Sequence, residues 1–353
     1  GTNSVTGAAF NVLNSIIGSG IIGLPYALNS AGMATGLLLL LAVGLISQFA
    51  SYTLVLTGKR VGAMHYSEVA YLTLGTSGYR LLNVSMVVAL VGGVVTYLII
   101  LGDIISSLRQ TYLPSQEWAT RSTIIMLSSY TCILPLLFFR HAGPLSRFSV
   151  VSIVALPIIL LIIGVRAPIY AATSIEYPPL VGRNVFPALG VLSFSYCSAH
   201  AAFQNFLGLK HRTLHNWAQS TTLATWPAIL ICCSFASVGL LSFGSSVHAN
   251  IFLNFPATDV YINVAQVLFC LTLVLTFPLS FYAIRDTLTH ALQIHAPQRA
   301  NRARVYESLV TVVVFSLLVF VATQCTDLGL AYELVGTAAA SVISFVFPAL
   351  IFL

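Results

Sequence analysis

The sequence predicts an all-α polytopic membrane protein built as a 5+5 inverted repeat, in which the first and sixth of about ten helices are broken. Three observations carry that prediction. Of 353 residues, 58% are hydrophobic and only 7% charged, whereas a soluble domain carries about 25% charged residues. The apolar residues gather in runs that each approach the roughly 20 residues needed to cross hydrocarbon. Two of those runs, at corresponding places in the two halves, hold helix-weakening or polar residues near their middles.

The runs lie at about 6 to 30, 33 to 58, 81 to 108, 122 to 139 and 148 to 165, then at about 184 to 209, 215 to 243, 258 to 285, 304 to 323 and 328 to 353. They read as one domain over 1 to 353, with helices one to five in about 1 to 166 and helices six to ten in about 184 to 353. The repeat rests on hydropathy and position, since no residue-level identity joins the halves.

Short cytoplasmic loops are enriched in Lys and Arg. With a cytoplasmic N-terminus, the inner loops hold Lys59, Arg60, Arg80, Arg140, Arg147, Lys210, Arg212, Arg285, Arg299, Arg302 and Arg304. The outer loops hold Arg109, Arg121, Arg166 and Arg183, so the 15 basic residues divide eleven to four. That asymmetry supports ten spans. Between the second and third spans, 66 to 75 reads as a short interfacial helix opened by Ser67, with Val69 and Leu72 on its apolar face, or as a plain loop. The chain opens at Gly1 without an initiator Met and stops inside an apolar run at Leu353, as a trimmed domain would.

Composition excludes several function classes. The net charge of +6 comes from scattered residues with no basic patch interleaved with aromatics, so no nucleic-acid partner is expected. Cys132, Cys197, Cys232, Cys233 and Cys270 fall inside apolar runs and only Cys325 lies near a surface, which suggests no disulfide. No Cys/His spacing suggests a resident metal, no cofactor is expected, and no nucleophile–base pair or phosphate-binding glycine loop suggests an enzyme.

The first break is written in NVLNSIIGSGIIGLPY, Asn11 to Tyr26. Glycine costs roughly 1 kcal/mol and proline about 3 in a helix interior. Gly18, Gly20, Gly23 and Pro25 therefore predict that the chain unwinds near Gly18-Ser19-Gly20. In hydrocarbon an unwound turn is tolerated only inside protein or beside a water-filled cavity. Such a turn offers free N–H groups at the start of one half-helix and free carbonyls at the end of the other. Ser19, Gly20 and Ile21 are the expected amide donors to a carboxylate, and Asn14, Ser15, Ile16 and Ile17 the expected carbonyl donors to a sodium ion. The alternative is that the glycines serve close helix packing alone.

The sixth run repeats the irregularity. Ser193-Phe194-Ser195-Tyr196-Cys197-Ser198-Ala199-His200 crowds polar groups into the middle of an apolar span, after Pro187 and Gly190. Phe194, Tyr196, Cys197 and His200 are candidate substrate contacts there. His200 titrates near neutrality when unperturbed, which makes it a candidate proton carrier, or equally a satisfied core histidine. Tyr97 in the third span could aim its hydroxyl at a bound carboxylate or simply bond a neighbouring carbonyl. Asp103 is an ionisable residue inside a span, a turn or two from Arg109, and reads as a functional group, an ion pair or a gate. Glu307, Glu333 and Asp286 sit near span ends, with Glu333 placed to join an outer gate with Arg109 or Arg183.

Taken together these residues resemble the amino acid/auxin permease superfamily, and more narrowly the sodium-coupled neutral amino acid transporters of solute carrier family 38. The resemblance is carried by AFNVLNSIIGSGIIGLPYA at Ala9 to Ala27, Gly102-Asp103 after Tyr97, GVLSFSY at Gly190 to Tyr196, LTFPLSFYAIRD at Leu275 to Asp286 and YELVG at Tyr332 to Gly336. It runs over the whole chain in order. It implies a leucine-transporter-like fold with an eleventh helix beyond Leu353. It also implies a sodium site between the first and eighth helices through Asn14 and Thr276, to which the residues themselves add the Ile17 carbonyl and Ser280, one turn on from Thr276, as candidate ligands. The residues agree in type, because Pro278 frees a carbonyl one turn back and hard cations take oxygen ligands. Back-bonding of Thr276 to its own helix is the alternative.

Many relatives carry two adjacent histidines at the sixth-helix break where this chain has Ala199-His200. Only His200 therefore carries over, and the resemblance implies a secondary active transporter of neutral amino acids coupled to sodium, with proton coupling in a vacuolar or lysosomal membrane, or a non-transporting receptor, as alternatives. The absence of a charged or carbonyl filter repeat disfavours a channel. The expected partners are a neutral amino acid and the bilayer, either plasma or vacuolar/lysosomal. Subunit number is left open.

Overall fold

The computed structural model describes the chain apart from residues 2, 114–119, 139–141, 172–175, 183 and 292–299, and apart from the side chains at 139–153, 279 and 286–307. Arg140, Arg183 and Arg299 fall outside the described residues, as do the side chains of Arg147, Asp286, Arg302, Arg304 and Glu307.

The described residues form helices joined by short turns. In chain order these are α1 (Val5–Ile16), α2 (Leu24–Ala31), α3 (Met33–Val61), α4 (Tyr66–Tyr112), α5 (Arg121–Ser128), α6 (Leu134–Leu137) and α7 (Ala142–Arg166). There follow α8 (Val185–Ser195), α9 (Ala202–Gly208), α10 (Leu214–Phe243), α11 (Val260–Ala291), α12 (Ala300–Gln324), α13 (Leu328–Val335) and α14 (Phe347–Phe352). Among the described residues, 6 helical stretches are long and apolar enough to cross a membrane, and α1 with α2 makes a further span bent by 46°. Shorter apolar helices cover Arg121–Leu137, Val154–Tyr170 and Ser308–Gln324. The protein is thus an all-helical, multi-pass membrane protein. The many exposed large apolar side chains, such as Leu38, Phe49, Leu161 and Leu230, suit lipid contact.

The chain divides into two compact units, one of Gly1–Ala89, Ala167–Ile251 and Tyr332–Leu353, the other of Leu90–Arg166 and Phe252–Ala331. In the first, α10 packs against α1, α2 and α3, while α8 packs on α2 and on the π turn Gly336–Ala340 that follows α13. Small residues let these backbones meet. A Cβ on Gly336 would overlap the carbonyl oxygen of Gly190, and one on Gly190 would lie 2.7 Å from the Glu333 carbonyl oxygen. A second π turn, Val342–Val346, follows at once. The Tyr66 hydroxyl donates to the Ile343 carbonyl within it, at 2.6 Å.

The segment 66–74 is helical, separated from the rest of α4 by Gly75 at φ 69°. It begins at Tyr66 instead of being opened by Ser67, whose hydroxyl donates to Asn83 Oδ1 at 2.8 Å. Its predicted apolar face does not hold as one: Val69 is buried and Leu72 exposed.

In the second unit α11 packs along α7, and α12 against α5. Ion pairs tie its described residues together. Asp103 accepts from Arg121 Nε at 2.8 Å, and Arg121 Nη1 donates to the Cys325 carbonyl at 3.2 Å. Arg121 is thus a partner of Asp103 that its sequence neighbour Arg109 had obscured. Asp259, with a fully buried side chain, accepts from Arg166 Nε and Nη2 at 2.7 and 2.6 Å and caps α11 by accepting from the Tyr261 and Ile262 N–H groups. Arg166 also lies 5.3 Å over the Tyr261 ring.

Candidate functional site: two helix breaks in one unit

The first span breaks where the glycines predict. The Ser4 hydroxyl accepts from Gly7 N–H to start α1, and the Ile17 N–H makes its last regular bond, to the Leu13 carbonyl. Gly18 is extended at φ −99°, ψ −159°, and its N–H turns back to the Ile16 carbonyl at 2.9 Å. The ladder that would have reached the Asn14 carbonyl is therefore interrupted. A 3₁₀ turn, Ser19–Gly23, follows, and α2 restarts with Pro25 in its first turn, where no N–H is needed.

Within the 3₁₀ turn the first i→i−3 bond runs from Ile21 N–H to the Gly18 carbonyl at 3.3 Å. That spends the Ile21 amide, so of the three expected donors only Ser19 and Gly20 keep their N–H groups outside the turn. Ile16 is likewise spent as an acceptor, whereas nothing in the turn takes the Asn14 or Ile17 carbonyl. The Ser15 hydroxyl back-bonds to the Asn11 carbonyl.

The glycines divide the labour. A Cβ on Gly20 would lie 2.6 Å from Ser195 Oγ and 3.0 Å from Ser195 Cα, so Gly20 lets the two broken spans touch. Gly23 makes room for Tyr332, at 2.9 Å from its Cε2. Gly18 faces open space, with nothing within 4 Å of a Cβ.

The second break comes later in its run than the polar crowding suggests. Ser193 and Ser195 lie inside α8, Ser195 donating back to the Val191 carbonyl at 3.0 Å. The chain leaves the helix at Tyr196 to Ser198 and re-enters through a 3₁₀ turn, Ala199–Ala201, before α9. Gly190 serves the α8 crossing, not the break. The Tyr196 carbonyl accepts from the buried Ser47 hydroxyl of α3 at 3.0 Å. The Tyr196 ring is completely buried, 3.2 Å from a Cβ placed on Gly44. Its side chain belongs to the packing against α3. Cys197 is half-buried and His200 exposed, with Sγ 4.0 Å from the His200 Nδ1.

Phe194, at the end of α8, contacts Tyr332 of α13, ring centroids 5.0 Å apart. The Tyr332 hydroxyl donates to the Ser19 carbonyl at 3.0 Å. Tyr332 and Ser47 are the residues that sequence reasoning missed as site builders. Each stood in the sequence as a polar group inside an apolar run, as many packing residues do, and the place of Tyr332 in YELVG gave it no site role.

Among the other candidates, Asn14 is half-buried in the first unit, while Tyr97, Thr276 and Ser280 belong to the second. The Thr276 hydroxyl donates to the Thr272 carbonyl at 2.8 Å, the back-bond of the alternative reading, which leaves its oxygen lone pairs to accept.

Two interrupted apolar spans meet through a glycine and a serine, with backbone donors left over, in a membrane protein. Residues 1–353 match the family described as transmembrane amino acid transporter protein. The chain belongs to that family. Relatives within it include a putative sodium-coupled neutral amino acid transporter 11 of Mus musculus, 28% identical over 361 residues, covering 100% of this chain and 78% of the mouse protein. Its counterpart in Danio rerio is 29% identical over 362 residues, covering 100% of this chain and 79% of that protein. A vacuolar amino acid transporter 2 of Saccharomyces cerevisiae is 26% identical over 367 residues, covering 98% of this chain and 75% of its own length. The family is one of transporters, not enzymes.

For a member of this family, Gly18 permits a clean separation of folding from function. At φ −99° alanine is unstrained, and with nothing within 4 Å it meets no atom. Gly18→Ala is therefore expected to keep or slightly raise the melting temperature in detergent, by the roughly 0.4–1 kcal/mol that a compatible Gly→Ala change gives. Uptake should fall nonetheless, because the methyl enters the open space at the break. Unchanged uptake would show that this space holds no substrate.

Proposed function

We propose that the protein is a secondary active transporter that moves small neutral amino acids by alternating access, coupled to sodium. The observation that carries the reading is the pair of breaks. The first presents unspent N–H groups for a carboxylate and released carbonyls for a cation, and neither broken span carries a charged Asp, Glu, Lys or Arg to pair with a charged side chain. The relatives named for sodium-coupled neutral amino acid transport support the substrate class and the ion.

The proposed architecture is a leucine-transporter-like pair of five-helix repeats with a cytoplasmic N-terminus. The make-up of the two units supports it: the first, second, sixth and seventh runs fall in one unit, and the fourth, eighth, ninth and most of the third fall in the other. Elements equivalent under an inverted repeat are thus grouped together, as rocking of one group against the other requires. The fifth and tenth runs depart from the pattern.

Sodium is proposed to bind through the Asn14 side chain, the Ile17 carbonyl, and the Thr276 and Ser280 hydroxyls. Purified protein in liposomes, loaded with and without a sodium gradient, tests the function across a panel of amino acids. Thr276→Ala tests the ion site. Loss of one charge-assisted contact is worth roughly 1.5–3 kcal/mol, so the sodium concentration for half-maximal uptake should rise about tenfold or more. Apparent amino-acid affinity at fixed sodium should weaken with it, since coupling is reciprocal. A Thr276→Ala protein with unchanged sodium dependence would remove Thr276 from the ligand set.

Proton coupling is the second reading. The exposed His200 in the second break and the vacuolar relative favour it. Uptake that ignores sodium and collapses with a proton gradient would select it.

A further inference from the structure

We infer that Tyr332 is a positioning residue for carboxylate recognition, acting by orienting the peptide plane between Ser19 and Gly20. The inference rests on the proposal that the first break binds an amino acid. A peptide unit is planar, with its C=O and N–H directed oppositely. The Tyr332 hydroxyl donates to the Ser19 carbonyl at 3.0 Å. That bond holds the C=O end of the very unit whose other end is the Gly20 N–H. The Gly20 N–H closes no turn within the break, while the Ser19 carbonyl opens the 3₁₀ turn Ser19–Gly23 and takes the Tyr332 bond in addition to its place in that turn, so the bond reinforces the direction the turn gives this peptide. With the carbonyl pinned toward Tyr332, the amide hydrogen points to the opposite side, and the hydrogen bond at the oxygen polarises it as a donor.

Tyr332 is itself held in place. It is fully buried, its ring lies 5.0 Å from Phe194 of the second broken span, and Gly23 is trimmed to admit it. Any larger residue at Gly23 would displace the ring. Tyr332 thus gauges both breaks from the α13 side, through its hydroxyl at the first and its ring at the second.

The test uses Tyr332→Phe, which keeps the ring and removes only the hydroxyl. In liposomes, the apparent KM for L-alanine should rise about three- to tenfold, the effect of losing one hydrogen bond, with maximal rate and protein abundance little changed. Ethylamine, which lacks the carboxylate, should compete with L-alanine equally in both proteins. An unchanged KM, or ethylamine competition weakened by the same factor, would overturn the inference, the second result assigning Tyr332 to general packing. Phe194→Leu serves as the comparator, since it disturbs the same ring contact but leaves the hydroxyl, and should weaken both ligands alike. Thermal stabilisation by L-alanine in detergent gives a readout that needs no transport. A wild type that is stabilised but does not transport overturns the transport reading alone, and a smaller stabilisation of Tyr332→Phe then still supports the role of Tyr332.

Discussion

Gly336→Ala is expected to be among the most destabilising single-methyl changes in the molecule. A Cβ at Gly336 would overlap the carbonyl oxygen of Gly190, and Gly190 itself sits against the Glu333 carbonyl and the Thr337 hydroxyl, both 2.7 Å from its own Cβ position. The atoms nearest a Gly336 Cβ all belong to the Gly190 backbone, so no side chain can rotate away to admit it. Overpacking typically costs 1–3 kcal/mol where side chains give way, and with backbone in the way a cost of about 3 kcal/mol or more is expected. In detergent that corresponds to a melting temperature lower by roughly 5 °C or more. Gly93→Ala and Gly164→Ala are the controls, since neither position has an atom within 4 Å of a Cβ. A Gly336→Ala protein as stable as those controls would mean that α8 and the π turn after α13 are not in contact.

The second large effect is expected at Asp259. Its side chain has no exposure, receives two N–H donors from Arg166 and two from the first turn of α11. Removing one member of a buried ion pair costs about 3–5 kcal/mol, because the remaining charge is left uncompensated. Asp259→Ala also deletes a helix cap, worth about 1 kcal/mol. The same change made together with Arg166→Met should cost less than Asp259→Ala alone, since the orphaned guanidinium is then gone. The melting temperatures of the wild type, both single variants and the double variant close a thermodynamic cycle. Additive losses would show that the two side chains do not interact.

The two breaks differ in how legible they were. The first is spelled by glycines and a proline, residues whose cost in a helix is local, so its position could be read within a residue or two. The second has no such spelling between Tyr196 and Ser198. Its polar residues suggested a break from Ser193 onward, but Ser195 satisfies its hydroxyl on its own helix and leaves α8 intact. Polar side chains in a span can back-bond as readily as they can mark an interruption, and the sequence does not distinguish the two. Ile21 failed as an amide donor for a related reason: the break rewinds as a 3₁₀ turn, which consumes one N–H sooner than an α-helix would. Tyr332 was invisible as a site residue because its role is set by a partner 313 residues away. Tyr196 looked like a site residue from its place in the chain, yet its ring serves the packing against α3. Residues 66–75 show the same limit on a small scale, since the positive φ of Gly75 ended the short helix on time but the pattern of Val69 and Leu72 did not reveal which face is covered.

The consecutive π turns at Gly336–Ala340 and Val342–Val346 bear on how this chain should be aligned with other proteins. A π turn closes its hydrogen bond one residue later than an α turn, so each holds one residue more than the ordinary helix it replaces. At about 3.6 residues per turn an extra residue rotates everything beyond it by roughly 100°. After two, the remaining helix presents nearly the opposite face, and the Ile343 carbonyl that accepts from Tyr66 lies within the second of them. A relative lacking either turn would be one residue shorter inside a membrane span, where alignments customarily forbid gaps. Forcing an ungapped match there would pair Gly336 and Ser344 each with positions on the wrong side of the helix, and an inherited lining residue would be mistaken for a lipid-facing one.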